Sequence, residues 1–427
     1  MMKRPELIAV LENGLIGSER AQANQLPGLV TVSDAVFQAI RQFVLETEGA
    51  DELLTLFRQK GCDLIKVRNY VGLLLVTRDI QLEILPKVGT TGEGRASLLR
   101  MLRYLRHSPF KTLPNALTSD TRLPLWDVFV STFLTTVEAL VGQGIQQTYR
   151  LVEGNERYWK GKFQAGRQLR ENAWHAERLA VRYDVLTADV PPNRVLKTTL
   201  LYLQNRTVVP ALQQRIRQLL SLFDDVSPVD SVADALRESR RTNRLFARYE
   251  LALRWAEALL GQRAYGVKTG SMDSLSLLFP MEQVFEDYVT HGIRTYWPEP
   301  DRVTVQESSA HLVDEHAGIP KFKLRPDILI RRAGRLLVLD AKWKRIDSRE
   351  PGSSYGIDQA DLYQLYAYGK KYGADDLFLI YPANEHFQKP IPSFGYDAST
   401  RLHIVSVDPR NRLADEVEKL VQQTLAK

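Results

Sequence analysis

Cysteine is almost absent from this chain: 427 residues include a single one, Cys62. Internal disulfides and any cysteine-rich zinc site are excluded, and a reducing, cytoplasmic setting fits. Cys62 carries no local signature of a nucleophile and reads as a small buried or half-buried residue. No GxxxxGK[ST] loop is present to cradle nucleotide phosphates, so any nucleoside triphosphate hydrolysis has to come from a partner. Long apolar runs are missing too. The most apolar stretch, Val128 to Val141, contains Glu138 with Ser131, Thr132, Thr135 and Thr136, and reads as a buried helix too polar to span lipid. The N-terminus, with Lys3, Arg4 and Glu6, lacks the apolar core of a signal peptide, and there is no long low-complexity tract.

What remains is an ordinary globular composition with a basic bias. Forty-four per cent of residues are apolar, and at about 100 to 200 residues per domain the length implies two or three domains. The net charge of +6 favours a polyanionic partner, because neutralising phosphates releases counterions.

The most informative segment is Leu324 to Lys342, LRPDILIRRAGRLLVLDAK, which sets two acids and a lysine into an apolar strand pair. Strands over 328–331 and 336–343, joined by a tight turn at Ala333 and Gly334, place Asp327 directly opposite Asp340. Cross-strand partners have Cβ atoms about 4.5 to 5.5 Å apart, and residues two apart on a strand share a face, so Lys342 joins the acids. Leu329 and Val338 fall on the acids' face, while Ile328, Ile330, Leu337 and Leu339 point to the other. Such a cluster suits metal-assisted attack of water on a phosphodiester. Carboxylates give Mg²⁺ hard oxygen ligands and leave room for water and phosphate, and the metal acidifies water and neutralises developing charge. An edge hairpin with an ordinary Asp340–Lys342 ion pair is the alternative.

The flanking segments supply context. Leu277 to Thr290 reads as a helix with Met281, Val284, Phe285 and Tyr288 inward and Pro280 in its first turn. Glu282 and Glu286 lie one turn apart on it. Asp358 to Tyr372 reads as a second helix, with Asp361, Gln364, Leu365 and Tyr368 at i, i+3, i+4 and i+7. Leu377 to Tyr381 and His403 to Val407 are two further short apolar runs expected to be strands.

Helix, hairpin, helix, strand is the order of the PD-(D/E)XK nuclease core. Pro326-Asp327, Asp340-Ala341-Lys342 and Gln364 to Tyr368 resemble that superfamily's motifs. The wider chain, from about residue 60 onward, resembles the McrC subunit of modification-dependent restriction systems. That resemblance runs through Val71 to Leu74, Leu82-Glu83-Ile84-Leu85-Pro86-Lys87, Gly161-Lys162-Phe163, Arg182-Tyr183-Asp184 and Asn193 to Lys197. The resemblance implies a mixed α/β fold: a C-terminal domain with a mixed central sheet flanked by helices, preceded by a small α/β unit and a mostly helical region. It implies a Mg²⁺-dependent DNA endonuclease, with Mn²⁺ as a possible substitute, working with an AAA+ GTPase ring that recognises methylated cytosine. Carried over by position, Asp327, Asp340 and the Ala341 carbonyl would hold the metal and Lys342 would be the catalytic lysine. Glu286 would be a further acid, ahead of Glu282, and Gln364 and Tyr368 would support the site or touch DNA. A stand-alone structure-specific repair nuclease, or a DNA-binding assembly subunit with a silent nuclease fold, are the competing functions.

The expected segments are an α/β unit at 1–95, a mostly helical region at 96–270 and the nuclease domain at 271–427. In the first, a helix is expected around Ser33 to Glu46 and strands near 64–68, 72–77 and 81–85, with Pro86 ending the last. In the second, periodicity fails near Trp159 to Asp189, an aromatic and basic insertion suited to contact with the NTPase ring. Arg237, Arg240, Arg241, Arg244 and Arg248 would form a positive ridge on one helix, or simply a solvated face. Lys160, Lys162, Arg167, Arg170, Arg178 and Arg182 include candidates for an arginine-finger role toward a partner. His311 and His316, with Asp314 between them, read as surface residues rather than metal ligands.

Overall fold

The computed structural model describes residues 5–425 apart from 25, 78, 90, 107, 115–122, 241–243, 262–275, 333 and 398–399. By internal contacts the chain forms two compact units. Residues 126–263 make one, and 5–125 together with 264–427 make the other, so the expected first and third segments share a unit.

The two-part unit begins with two four-stranded sheets. One has the order Leu29–Val32, Leu15–Ser18, Cys62–Val67, Leu54–Gln59; the other runs Glu6–Leu11, Ile80–Leu85, Tyr70–Thr77, Ser276–Pro280. The helix Asp34–Glu46 starts where the Ser33 hydroxyl accepts from the Val36 N–H at 3.4 Å, satisfying an end group the helix itself cannot. Its buried face (Val36, Phe37, Ile40, Phe43) shares a core with Ile16, Ile65, Leu82 and Leu278. The strands before residue 60 carry short, half-buried apolar runs that sequence periodicity did not resolve.

Residues 277–280 correct an expectation. They form a strand, Ser276–Pro280, rather than the first turn of a helix, and pair antiparallel with Tyr70–Leu74. Gly72 permits that approach: its φ is +123°, and a Cβ there would meet the Leu277 carbonyl oxygen at 2.0 Å. Pro280 then caps the helix Met281–Tyr296, whose Met281, Val284, Phe285 and Tyr288 are buried as expected.

The C-terminal sheet has six strands in the order Val303–Val305, Ile328–Arg332, Arg335–Ala341, Asp376–Pro382, Arg401–Val407, Ile391–Gly395. Its centre is parallel and its flanks antiparallel, a mixed sheet. The hairpin register pairs Ile328 with Leu339 and Leu329 with Val338, as expected, with Gly334 at φ +78° in the turn; Ala333 lies outside the described residues. The helix Gln359–Tyr372, N-capped by Asp358 and closed by left-handed Gly373, packs Leu365 and Tyr368 with Leu329, Val338, Leu377 and Leu379. On Met281–Tyr296, Phe285 packs against Trp343, ring centroids 5.1 Å apart.

In the other unit, the expected helical region is interrupted by a three-stranded sheet, Thr148–Glu156, Leu179–Thr187, Lys162–Phe163, with a short helix Ala165–Glu171. Alternating polar and apolar residues on these strands defeat a helical period. The helix Leu125–Gly142 is long and apolar enough to cross a membrane by length and composition, so polarity does not set it apart. Burial does: Val128, Phe129, Phe133 and Val137 are inside, Phe129 lies 6.1 Å from Trp255, and Arg215 clamps the polar side at Glu138, Ser131 and Thr135. The arginine ridge is not one helix face. The helix Val232–Arg240 ends, 241–243 lie outside the described residues, and in the 3₁₀ turn Arg244–Tyr249 the Arg248 guanidinium donates to the carbonyls of Gln143 and Gly144.

Candidate active site

The site lies where the hairpin strands end beside the helix Gln359–Tyr372. Asp327 sits one residue before its strand, and its Oδ2 accepts from the Ala341 N–H at 2.8 Å. Asp340, at 3% exposure, is the penultimate residue of the facing strand. Lys342 places its Nζ 2.7 Å from Asp340 Oδ2 and donates to Gln364 Oε1 at 3.1 Å. Gln364 Nε2 in turn donates to the Tyr368 hydroxyl at 2.8 Å, which reaches the Arg325 carbonyl at 3.4 Å. The one-turn spacing of Gln364 and Tyr368 is what lets a helix face read out the lysine and the hairpin together.

Glu286 comes from Met281–Tyr296, where its Oε1 accepts from Gln306 Nε2 at 3.0 Å. Glu282 stands apart, lining a cavity of about 260 Å³ with Glu12, Lys87 and Trp343. Neighbouring Asp287, a buried acid that sequence reading passed over, is held by Arg106 at 2.8 Å.

The electrostatics are those of carboxylates crowded out of water. Burial, then the charges of Asp340 and Glu286, push the Asp327 carboxyl up to about 8. Burial raises Asp340 against the pull of Lys342, and burial raises Glu286 despite its bond from Gln306. Lys342 is lowered by burial, but Asp340, Asp327 and Asp361 outweigh that, so its net shift is upward and it stays an ammonium. Sequence reading missed Lys344, which lies just beyond the strand end, two residues after Lys342. Its Nζ lies 2.8 Å from Asp361 and 3.2 Å from Asp358.

Among the described residues no group of three His, Cys, Asp or Glu side chains is arranged to hold a metal ion. Asp327 and Asp340 are the two carboxylates at the strand ends, and Glu286 is near enough for its charge to raise Asp327. One or two carboxylates that leave room for waters are a donor set suited to Mg²⁺, and burial, with Asp340 and Glu286 nearby, raises Asp327 even with the Lys342 ammonium beside the acids. Asp314 is paired with Lys371 at 2.8 Å; on the same strand His316 is exposed and His311 half-buried.

A family model described as McrBC 5-methylcytosine restriction system component matches residues 65–382. The chain belongs to the McrBC family. No curated protein matches it. A solved chain in the refined half-complex from the tetradecameric assembly of Thermococcus gammatolerans McrB AAA+ hexamers with bound McrC is similar in fold. The TM-score is 0.73 with 18% identity, over 98% of this chain and 100% of that one. A second, in the Thermococcus gammatolerans McrBC complex, has TM-score 0.50 and 20% identity, over 68% of this chain and 88% of that one. Both likenesses concern the fold. The mixed α/β architecture of this McrBC-family chain accords with them, and the match spans the ILPK and NRVLK segments as well as the motif-bearing hairpin.

Proposed function

We propose that this McrBC-family chain is the McrC-type nuclease subunit of a modification-dependent restriction complex, a Mg²⁺-dependent DNA endonuclease working with an AAA+ GTPase ring. The observation that carries the reading is the convergence of Asp327, Asp340 and Lys342 at one end of the hairpin. Asp327, Asp340 and the Ala341 carbonyl would hold the cation, with Glu286 at its rim. Bound there, a divalent cation supplies a Lewis acid that acidifies water and screens the phosphate's charge.

The chain's own groups do the rest. The Ala341 N–H fixes one Asp327 oxygen and leaves the other to face the site. Lys342, kept cationic by its acidic neighbours, is suited to orient an attacking water and stabilise charge on a phosphoryl oxygen, with no role as a base while it remains paired to Asp340. Gln364 holds that ammonium in place and is itself held by Tyr368.

The surface for the ring is the three-stranded sheet. On and around this sheet Trp174 is 95% exposed and Trp159 65%, with Tyr158, Leu169 and Leu186 also exposed, large apolar side chains of the kind that mark interaction surfaces. On the same sheet Lys162 directly opposes Arg182, a like-charge pairing that costs stability and leaves cations for an anionic partner group.

The test is cleavage of methylated and unmethylated plasmid with Mg²⁺, by wild type and Asp340→Ala, with and without GTP and the ring protein. Cutting that requires methylation, GTP, the ring and Asp340 is expected. Cutting by the lone chain on unmethylated DNA would instead make it a self-sufficient nuclease.

A further inference from the structure

Gln306 ties together three parts of the site that come from distant segments. It follows the strand Val303–Val305, and because Val305 pairs with Ile328, Gln306 stands opposite Asp327. Its backbone N–H donates to the Asp327 carbonyl at 2.9 Å. Its side chain reaches in two directions: Nε2 donates to Glu286 Oε1 at 3.0 Å, and Oε1 accepts from Arg325 Nη2 at 2.5 Å. Only one amide orientation works, since flipping it would set oxygen against carboxylate and N–H against guanidinium. An acid here would repel Glu286 and a base would repel Arg325. The residue also holds φ +48°, a conformation non-glycine residues rarely adopt.

Arg325 is the outward end of this chain of contacts. It is exposed, and among the described residues it makes no ion pair; Gln306 holds its guanidinium, and Tyr368 its carbonyl. A guanidinium with one donor occupied keeps others free for a planar, bidentate grip on a phosphate.

We propose that Gln306 is a positioning residue that orients Glu286 toward the Asp327–Asp340 pair and aims Arg325 at a backbone phosphate of the DNA beside the cut. This rests on the metal-dependent nuclease reading. Glu286 would meet the cation at its rim and Arg325 would meet the substrate, and the amide between them sets both at once.

The experiment titrates Mn²⁺ into the DNA-free, full-length protein by electron paramagnetic resonance, alongside steady-state cleavage in the complete complex. Gln306→Ala is expected to weaken Mn²⁺ binding about tenfold, the scale of losing an outer partner of a metal ligand, and also to raise KM for DNA. Arg325→Ala is expected to raise KM several-fold and leave Mn²⁺ binding unchanged. Should Gln306→Ala fail to fold, Gln306→Met fills the same volume without either polar contact. Loss of the fold in both variants, or wild-type Mn²⁺ affinity in a folded one, overturns the proposal. A wild-type protein that binds no Mn²⁺ would overturn the nuclease reading beneath it.

Discussion

Removing the charge of Asp327 should stabilise the metal-free protein at alkaline pH. The folded-state pKa of about 8 lies above the value of about 3.9 expected for an unfolded aspartate. Between those values the folded state holds a proton that the unfolded state has lost, so stability falls as pH rises toward about 8 and levels off above it. From pH 6.5 to 8.5 one such group accounts for at most about 2 kcal/mol, since each pKa unit is about 1.4 kcal/mol. In a unit of this size that is about 3 to 6 °C in Tm. The assay is thermal melting in EDTA at half-unit pH steps for wild type and Asp327→Asn, whose amide oxygen can still accept from the Ala341 N–H. Glu12, pushed up to about 7 by burial, adds a loss of the same sign, so the difference between the two proteins is the quantity to follow. The variant's advantage in melting temperature over wild type should grow from pH 6.5 to about 8 and level off above that, and saturating Mg²⁺ should reverse the order, because the cation takes the deprotonated carboxylate. A difference that stays flat from pH 6.5 to 8.5 would refute the crowded-carboxylate account of this site.

Three further outcomes follow from other parts of the molecule. Lys342→Met should lower kcat by about 100-fold or more, the scale of losing one electrostatic stabiliser of a transition state, while Mn²⁺ binding persists; equal loss of both would make the lysine a support for Asp340 alone. Trp159→Ala with Trp174→Ala should weaken association with the ring, measured by light scattering, and leave the melting temperature unchanged, because neither indole is buried; unchanged association would remove the sheet as the docking surface. Gly72→Ala should cost about 3 to 4 kcal/mol, near the top of the range for single substitutions, because its Cβ meets the Leu277 backbone; a melting temperature within a degree of wild type would show that the strand pair can shift.

The hairpin was legible in the sequence because period-two alternation fixes both pairing and face once the turn is located. Ile328 opposite Leu339, and Leu329 with Val338 beneath the helix carrying Tyr368, follow from that alone. The two helices flanking it were legible from their stripes, except where Leu277 to Pro280 carried enough apolar character to pass as a first turn. That strand exists because a partner strand 200 residues earlier has a glycine to receive it, a long-range fact no local window contains. Gln306 was invisible for the same reason, being an uncharged residue in a loop whose meaning depends on what stands on either side. The three-stranded sheet inside the helical region was signalled only as a failure of periodicity at Trp159 to Asp189, which marks a change of structure without naming it.

The pairing of Ser276–Pro280 with Tyr70–Leu74 bears on how this molecule can be taken apart. A fragment cut at residue 270 for expression of the catalytic sheet alone would carry an orphaned strand leading straight into the helix that bears Glu286. The complementary N-terminal fragment would present Tyr70–Thr77 as a naked edge, with Val71, Leu73 and Leu74, all buried in the intact chain, exposed to whatever strand came by. Both pieces should be sticky, and should recombine with one another when co-expressed. The shortest well-behaved catalytic fragment would instead shorten residues 126–263 in place, retaining both sequence-distant halves of the strand pair.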